Sequence, residues 1–396
     1  MRYMGTKRHL TAQIMELCGK SRDGPLLDLF AGTCSVGRAL SPQRNVWCND
    51  AQFFASQLAT AIFTSVSLPP NADSIASSWA MPIAAEEIAL SEGHVGLAKA
   101  ESDAVRGQDL RAAQRIFEKC NAAAQELSRE RLEPPQALLT ALYGGTYFSI
   151  SQALEMDAIR SVISRCSRSG EIDQDEERWL LLAMCEAADR IANTTGHFAQ
   201  SLFPKDSNFS RYSRQRDRSF RYEWLASLKR LMPIGGRNWR TKNMAFRGDA
   251  LECLENLKSN SVRPAIVYAD PPYTKDQYSR YYSVLETIML GDFPELTGRG
   301  LVRKDGFKSQ FSQTSSVEGS LISLIEGAMN LDADLIISYP SNGLCGNAEE
   351  LVVETSRIAC GRLPEIAEVQ HIHSSLGASK GKAKAAVIEK LYRIAA

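Results

Sequence analysis

The stretch Val267-Tyr268-Ala269-Asp270-Pro271-Pro272-Tyr273 marks the point where a buried strand ends. The apolar run Ala265–Ala269 predicts that strand, and Asp270 places a carboxylate at its end. Proline has no N–H and stiffens the turn, so the carbonyl of Pro271 can point into a site. Tyr273 adds a flat face for stacking. Together these groups can hold a planar exocyclic amine, and a strand-ending turn without chemistry is the alternative for so short a motif.

The composition is that of a soluble globular protein. The chain has 396 residues, 44% hydrophobic and 23% charged, which is enough for two or three domains. No apolar run reaches the roughly 20 residues that cross a membrane, and no apolar stretch follows the basic N-terminus, so we expect neither a membrane segment nor a signal peptide. The nine cysteines form no Cys-x-x-Cys pair, which favours reduced thiols. His371 and His373 would share a polar strand face, and we predict no metal site.

Basic residues concentrate in one segment, although the net charge is zero. Residues 205–242 contain eleven Lys or Arg and three Asp or Glu, with Tyr, Phe and Trp interleaved. This density of Arg with aromatic residues is typical of a surface that contacts phosphates, and a solvated face is the alternative. The predicted nucleic-acid contacts are Arg211, Arg214, Arg216, Arg218 and Arg221, with Lys380 and Lys382 of a C-terminal hairpin.

Two separated parts of the chain alternate strands with helices. Near the N-terminus a strand, a glycine loop, a helix, a second strand and an acid follow one another, as in the first half of a doubly wound nucleotide-binding fold. The pattern returns at Met244 and ends in two strands that predict an antiparallel hairpin at the sheet edge. We therefore predict one mixed α/β domain from residues 1–68 and 240–396. A mostly helical insert, 69–239, splits it and includes a turn-rich aromatic stretch, Tyr143–Phe148.

The predicted strand ends indicate what the site holds. The loop Gly32–Gly37 lets a nucleoside approach the backbone, but it lacks the middle glycine of a pyrophosphate-binding loop. Asp50 lies 18 residues beyond Gly32, where a carboxylate accepts both ribose hydroxyls. Asp249 could accept from an adenine amino group or serve a turn. A site of acids suits an adenosine without phosphates, and S-adenosylmethionine is such a ligand.

The order of these motifs resembles that of the Dam-like adenine-N6 DNA methyltransferases. In that family an N-terminal lysine motif, a glycine motif, a target-recognition insert and Asp-Pro-Pro-Tyr follow one another. Here Arg2-Tyr3-Met4-Gly5-Thr6-Lys7-Arg8 is similar to the opening motif, and Asp28-Leu29-Phe30-Ala31-Gly32 is similar to the cofactor motif. The resemblance implies a methyltransferase fold of the Rossmann type. It covers residues 1–65 and 240–396, and the insert is similar in position more than in pattern.

The strand ends and the resemblance together assign a role to each matching residue. The predicted contacts of S-adenosylmethionine are Tyr3, Lys7, Asp28, Phe30, Gly32, Asp50, Asp249 and Asp270, and the predicted catalytic residues are Asp270, Pro271, Pro272 and Tyr273. Two positions depart from the common pattern of the family. Cys34 stands where a second glycine is usual, which costs backbone freedom, and Tyr3 replaces a common Trp, which weakens stacking.

The implied reaction is methylation of the amino group of an adenine flipped out of double-stranded DNA, without a metal. We expect a cytoplasmic, nucleoid-associated enzyme, bacterial or phage-encoded, that serves restriction-modification or phage defence. A cognate restriction endonuclease is a candidate partner.

Three alternatives to this reaction are open. They are an RNA amino-methyltransferase, a cytosine-N4 DNA enzyme and a silent subunit that only binds nucleic acid. The large insert favours DNA over RNA, and Asp in place of Ser at the head of the motif favours adenine. The intact Asp270 and Tyr273 favour an active enzyme.

Overall fold

The computed structural model describes residues 10–130, 133–372 and 386–396, with the backbone alone at 371, 372 and 386. Within it the chain forms two compact units, each built from separated segments. The helical unit contains Ser67–Met232 and Arg280–Gly306. The sheet unit contains the described residues up to Val66, Pro233–Ser279, and those from Phe307 onward. The segment Arg280–Gly306 thus joins the helical unit, whereas the sequence pattern predicts it in the α/β domain.

The helices and strands are numbered along the chain. The helices are α1 (Thr11–Gly19), α2 (Ser35–Leu40), α3 (Phe53–Phe63), α4 (Ala72–Ser78), α5 (Ala80–Ser91), α6 (Val95–Arg106), α7 (Leu110–Glu130), α8 (Leu138–Tyr143), α9 (Ile150–Ser169), α10 (Gln174–Ile191), α11 (Phe209–Arg216), α12 (Phe220–Leu228), α13 (Arg237–Arg240), α14 (Ala250–Ser259), α15 (Ser279–Leu290), α16 (Val317–Asn330) and α17 (Ala348–Cys360). The strands are β1 (Leu26–Asp28), β2 (Val46–Asp50), β3 (Met244–Arg247), β4 (Ile266–Ala269), β5 (Leu296–Thr297), β6 (Val302–Arg303), β7 (Asp334–Pro340), β8 (Glu365–Ile372) and β9 (Ala386–Ile394). None of the described helices is long and apolar enough to cross a membrane.

The sheet unit is built around a seven-stranded sheet in the order β3-β2-β1-β4-β7-β9-β8. The strands from β3 to β7 in this order are parallel, and β9 runs antiparallel to both of its neighbours. The carboxyl ends of the parallel strands therefore lie at one edge, which is where ligands bind in sheets of this kind. The predicted mixed α/β sheet with a C-terminal antiparallel hairpin is confirmed.

Alternation along β4 explains why this strand is apolar throughout. Val267 and Ala269 belong to a core cluster shared with α14, α16 and α17, which we call the main core. Ile266 and Tyr268 belong to a second cluster, shared with α1 and α2. A strand covered on both faces needs an unbroken apolar run. Asp270 is the first residue after this run and so marks the edge of the sheet.

The helix that follows the glycine loop approaches the sheet closely. Gly37 lies in α2, and a Cβ built at this position would lie 2.9 Å from the side chains of Val46 and Phe63. Real Cβ atoms essentially never come so near, so glycine is what lets α2 lie against β2 and α3. The packing of α2 in turn sets where the glycine loop ends.

Tryptophans fill the centre of the helical unit. Trp179 of α10 and Trp224 of α12 are fully buried. Trp224 also stacks on Trp79, which precedes α5, with 6.3 Å between the ring centroids. Trp179 and Trp224 are the largest side chains that the described part of the protein buries completely.

Capping boxes fix where the two central helices of this unit begin. Ser149 and Gln152 form one at the start of α9, and Asp173 and Glu176 form another at the start of α10. The predicted turn-rich stretch Tyr143–Phe148 lies directly before α9, and the structure has a turn there at residues 145–147.

Candidate active site

A cavity lies at the carboxyl edge of the sheet, and all of its lining residues belong to the sheet unit. It encloses about 750 Å³, including space that is open to solvent. The predicted site residues that line it are Phe30, Asp50, Asp249, Asp270, Pro271, Pro272 and Tyr273. Asp28 and Gly32 lie in the adjoining strand and loop. Tyr3 and Lys7 fall outside the described residues.

Asp50 braces the glycine loop. Its Oδ2 accepts the N–H of Gly32 at 2.8 Å, and its Oδ1 accepts the N–H of Gln52 at 2.9 Å. Burial raises the pKa of Asp50 to about 6, against the opposing effect of these two N–H groups. A carboxylate oxygen has two acceptor positions, so the same side chain can also accept from a ribose hydroxyl.

Cys34 adopts the left-handed conformation for which glycine is usual. Its φ is 61° and its ψ is 33°, and Gly32 two residues earlier has a φ of 50°. This conformation costs a residue with a Cβ about 1–2 kcal/mol. The loop therefore keeps a glycine-type turn with a buried cysteine in it. The cost in backbone freedom that the sequence predicts for Cys34 lies in this left-handed conformation.

Asn49 joins three strand ends, although it is not among the site residues predicted from the sequence. Its Nδ2 donates to the carbonyls of Leu29 and Gly248 at 3.2 and 3.1 Å. Its own carbonyl accepts the N–H of Ala31 at 3.0 Å. Asn49 thus fixes the chain after β1 and β3 on either side of β2. The signal that could have found it is its place directly before Asp50.

Asp249 caps a helix as well as lining the cavity. Its Oδ1 accepts the N–H of Leu251 at 2.8 Å and, more weakly, that of Glu252 at 3.4 Å. Backbone dipoles at a helix N-terminus stabilise a carboxylate, which accounts for this position at the start of α14. Asp249 therefore has the structural role at a turn that was one of its two predicted roles. This role uses Oδ1 and leaves Oδ2 for a ligand.

The motif after β4 is fastened to its surroundings. Asp270 is half-buried and Pro271 is buried. The carbonyl of Tyr273 accepts the N–H of Leu344 at 2.9 Å, which joins the motif to the loop after β7. Phe30, Tyr273 and Leu344 all pack against the main core. Tyr273 is thus held by its backbone and by its side chain.

Carboxyl groups accumulate at this edge of the sheet. Burial raises the pKa of Asp28 to about 8, and the charges of Asp270 and Asp50 add to the shift. Asp28 is only 2% exposed, and backbone N–H groups of Phe30 and Gly37 donate to it. Among the described residues that line the cavity, none is Lys, Arg or His. The edge therefore favours a cation and opposes a phosphate.

A second segment, residues 307–309, also lines the cavity through Phe307 and Ser309, although it carries no recognisable sequence motif. The N–H of Ser309 donates to Oε1 of Gln277 at 2.8 Å, and Nε2 of Gln277 donates back to the Ser309 carbonyl at 3.4 Å. Ser279 Oγ donates to the carbonyl of Phe307 at 2.8 Å. These bonds hold the chain that follows Asp-Pro-Pro-Tyr against residues 307–309. Common polar side chains make them, so the sequence offered no signal.

Arg216 is placed differently from the prediction. Its guanidinium pairs with Glu101 at 2.8 Å, and both side chains are 3% exposed. It also lies 3.6 Å from the ring centroid of Tyr212 and donates to the carbonyls of Gly145 and Thr146. A guanidinium enclosed in this way holds the helical unit together and does not reach a phosphate, which corrects the prediction for this residue.

The other predicted basic contacts of the insert lie nearer the surface. Arg211 and Arg214 of α11 are exposed, and Arg211 donates to the carbonyl of Thr194 at 2.6 Å. Arg218 and Arg221 are half-buried and pair with Glu223 at 2.6 Å and Glu87 at 3.1 Å, respectively. Pairs of this kind add little stability, so a phosphate can displace the acid. Lys380 and Lys382 lie outside the described residues.

The chain is similar in sequence to a known protein family and to several curated proteins. The model of D12 class N6 adenine-specific DNA methyltransferases matches residues 3–82 and 156–336. Modification methylase StsI of Streptococcus sanguinis is 24% identical over 349 residues, which are 87% of this chain and 44% of that protein. Type II methyltransferase M.FokI of Planomicrobium okeanokoites is 26% identical over 349 residues, 87% and 45% of the two chains. Type II methyltransferase M.NlaIII of Neisseria lactamica is 24% identical over 359 residues, 87% and 84%.

The matches to StsI and M.FokI cover most of this chain but less than half of each relative. The chain spans about half the length of StsI and M.FokI. No solved structure matches it. The family model covers more than half of the chain, and its ranges include the glycine loop, Asp50, Asp249 and Asp270-Pro271-Pro272-Tyr273. The chain therefore belongs to the family of D12 class N6 adenine-specific DNA methyltransferases.

Proposed function

We propose that the protein transfers a methyl group from S-adenosylmethionine to the exocyclic amine of an adenine in double-stranded DNA. The observation that carries the proposal is the position of Asp270 and Pro271, which follow β4 and line a cavity together with Asp50 and Asp249. The acceptors for an amine and the acids for a cationic nucleoside thus belong to one site. Membership of the family supports the same reaction.

The chemistry of the cavity fits S-adenosylmethionine. This cofactor carries a sulfonium and an ammonium group and no phosphate, which suits a described lining that has acids and no basic side chain. Asp50 would accept the ribose hydroxyls and Asp249 the amino group of the cofactor's adenine. Phe30 and Gly32 would lie along the nucleoside. The cofactor, when bound, supplies an activated methyl group.

The remaining contacts of the cofactor are proposed on charge and on the resemblance. Asp28 and Asp270 would face the ammonium group of its amino-acid end, because their two carboxyls lie near each other at the sheet edge. Tyr3 and Lys7 stay predictions from the opening motif of the chain.

The target amine is proposed to bind between Asp270 and the carbonyl of Pro271. Both accept hydrogen bonds from it, which draws its lone pair out of conjugation with the ring and aims it at the methyl group. Tyr273 stacks on the base and fixes its plane, a contact worth about 1–3 kcal/mol. The displacement then depends mainly on positioning, and Asp270 can take the proton that the methylated amine releases.

Access to the target needs the base to leave the duplex, at a cost of a few kcal/mol. We assign recognition of the DNA to the insert, residues 69–239, and the chemistry to residues 1–68 and 240–396. Exposed Arg211 and Arg214 would contact phosphates, together with Arg218 and Arg221 after exchange of their acid partners. Lys380 and Lys382 stay predicted contacts. The names of the relatives favour restriction-modification, with a cognate endonuclease as partner.

The test is expression in a host that lacks adenine methylation, followed by single-molecule sequencing of its genome. The wild-type chain should methylate adenine in one recurrent sequence. Asp270→Ala should methylate none, because the amine loses its charged acceptor, and its circular dichroism should match the wild type. Asp276→Ala removes an exposed carboxylate from the same loop, so it serves as the matched control and should keep full activity.

Other results would favour the alternatives. Methylation of cytosine would indicate a cytosine-N4 enzyme, and methylation of RNA alone would indicate an RNA enzyme. A wild-type chain that binds DNA but shows no binding of S-adenosylmethionine in calorimetry would be a silent subunit. Full activity in Asp270→Ala would remove this residue from the catalytic role.

A further inference from the structure

The loop that joins β7 to α17, residues 341–347, is connected to the catalytic motif by its backbone. The N–H of Leu344 donates to the carbonyl of Tyr273 at 2.9 Å. The next N–H, that of Cys345, donates to the hydroxyl of Tyr339 at 3.0 Å. Adjacent amides of one loop thus bind the stacking residue and a tyrosine of the sheet. The two N–H groups belong to consecutive planar peptide units that meet at Cα of Leu344, so a displacement of the Cys345 amide also displaces the chain that carries the Leu344 amide.

Tyr339 is a fixed support for this loop. It lies in β7 with a side chain that is 1% exposed, and it belongs to the main core. Its hydroxyl is the polar end of an otherwise apolar ring, and Cys345, whose N–H it accepts, is itself buried. A buried N–H without an acceptor is unfavourable, so this bond holds the loop in one position.

The loop also packs directly on the ring of Tyr339. A Cβ built on Gly343 would lie 2.4 Å from Cε1 of Tyr339, far closer than real Cβ atoms come. The N–H of Gly343 closes a turn onto the carbonyl of Pro340 at 3.0 Å, and the N–H of Ser341 donates to the carbonyl of Ile388 in β9 at 2.9 Å. The loop is therefore fixed at its start by the sheet and in its middle by the tyrosine.

We propose that Tyr339 is a positioning residue for the methylation reaction: its hydroxyl and ring hold the loop 341–347, and through Leu344 the loop holds Tyr273 in the orientation that stacks on the target base. This inference rests on the proposed function and extends it to a residue that touches neither base nor cofactor. A displacement of Tyr273 by a fraction of an ångström tilts the base and moves its amine off the line of attack, so the rate falls while cofactor binding is unchanged.

The first test compares two buried tyrosines of the main core. Tyr339→Phe removes the hydroxyl that accepts from Cys345 and leaves the ring in place. Tyr392→Phe is the matched control, because Tyr392 is 2% exposed, belongs to the same core and lies in β9. The substrate is a duplex with the site found by genome mapping and with 2-aminopurine at the target position, and kcat is measured on the same duplex with adenine.

The expected results separate positioning from folding. Tyr339→Phe should lower kcat about tenfold with an unchanged Kd for S-adenosylmethionine, and it should raise 2-aminopurine fluorescence because the flipped base stacks less well. Tyr392→Phe should leave both readouts at the wild-type level. Wild-type kcat and fluorescence in Tyr339→Phe would overturn the proposal. A loss of affinity for S-adenosylmethionine as large as the loss of kcat would overturn it too, because it would indicate a general structural role.

A second pair of variants acts on the loop from the opposite side. Gly343→Ala places a methyl group against the ring of Tyr339, so it should shift the loop and reproduce the loss of kcat and the rise in fluorescence. Gly346→Ala is the matched control on the same loop, because a Cβ there meets nothing within 4 Å. Equal activity of the two variants would contradict the proposal. A wild-type chain that methylates no DNA would instead refute the proposed function, before any variant is compared.

Discussion

The carboxyl group of Asp28 lies in the protein interior at the end of β1, with Asp50 and Asp270 nearby. Burial and the two neighbouring charges raise its pKa to about 8, so the folded protein holds a proton there at neutral pH. The pKa of Asp50 is raised to about 6 by burial as well. A cation at this edge would favour the ionised forms of both residues and release protons as it binds.

The raised pKa of Asp28 predicts a stability that decreases with pH. The unfolded chain loses this proton near pH 4, whereas the folded protein keeps it until about pH 8. The proton on Asp28 therefore makes its full contribution to the unfolding free energy below pH ~4. This contribution is lost as the pH rises to ~8, by at most about 1.4 kcal/mol per pH unit for one group. Urea unfolding of the unliganded protein measures how steeply the unfolding free energy falls with pH. A range of roughly pH 5.5 to pH 8.5 includes the raised pKa values of both Asp28 and Asp50.

Asp28→Asn isolates the contribution of this residue. The amide oxygen can still accept the N–H groups of Phe30 and Gly37, but the side chain no longer titrates. The variant should therefore lose stability less steeply as the pH rises. Asp276→Asn, at an exposed position, should keep the wild-type slope. An Asp28→Asn variant with the wild-type slope would assign the pH dependence to other groups.

Single residues at this site differ in how far the sequence reveals them. Asp50 and Asp270 follow apolar runs, and a carboxylate at a strand end is conspicuous because nothing in the core requires it. Gln277 and Ser309 line the same cavity, yet they are joined by hydrogen bonds between parts of the chain that are distant in sequence. Such partners become neighbours only in the folded chain, so a sequence read alone does not indicate them.

At the level of elements, α2 depends on a glycine that its neighbours enclose. Replacement of Gly37 by Ala puts a methyl group 2.9 Å from Val46 and Phe63, which belong to β2 and α3. Overpacking of this kind costs about 1–3 kcal/mol, so the unfolding free energy of Gly37→Ala should fall by that amount. Because α2 follows the glycine loop, affinity for S-adenosylmethionine should fall too.

Gly319→Ala provides the comparison within the same unit. Gly319 lies in α16, and a Cβ there meets nothing within 4 Å. Alanine favours a helix over glycine by about 0.8–1 kcal/mol, so this variant should be slightly more stable than the wild type. Thermal unfolding of both variants checks the pair. Equal effects would mean that α2 can move away from β2 without cost.

The strands were easier to predict from sequence than the helices of the insert. A parallel strand buried on both faces needs an unbroken apolar run, which β4 shows throughout and β7 shows over residues 335–337. In contrast, α9 directly follows the predicted turn-rich stretch Tyr143–Phe148, and the sequence pattern predicts no separate helix there. Tyr143, Tyr147 and Phe148 are buried in the helical unit, and such tertiary packing is not visible in local propensity.

For the whole molecule, the charge distribution separates two kinds of arginine within one helix. Arg214 and Arg216 lie two residues apart in α11, but Arg214 is exposed and Arg216 is enclosed with Glu101. The sequence marks both as members of one basic segment. Only the packing of α11 against α6 shows which one serves the interior.

This difference predicts opposite effects of two neighbouring substitutions. Arg216→Ala leaves Glu101 buried without its partner and should lower the unfolding free energy by about 3–5 kcal/mol. Arg214→Ala should change stability by less than about 0.5 kcal/mol and should weaken DNA binding, with a smaller dependence of affinity on salt. Urea unfolding and fluorescence anisotropy at several salt concentrations measure the two effects. Comparable stability of the two variants would remove the structural role from Arg216.

The order of strands in the sheet has a consequence for how the protein is made. β9 lies between β7 and β8, although it follows both in the chain. While the ribosome is still adding residues 386–394, every predicted catalytic residue has already been synthesised, but β7 has an open edge and the main core lacks Tyr392 and Ile394. Open strand edges invite aggregation and degradation. A product that ends before β9 should therefore aggregate or be degraded more readily than the full chain.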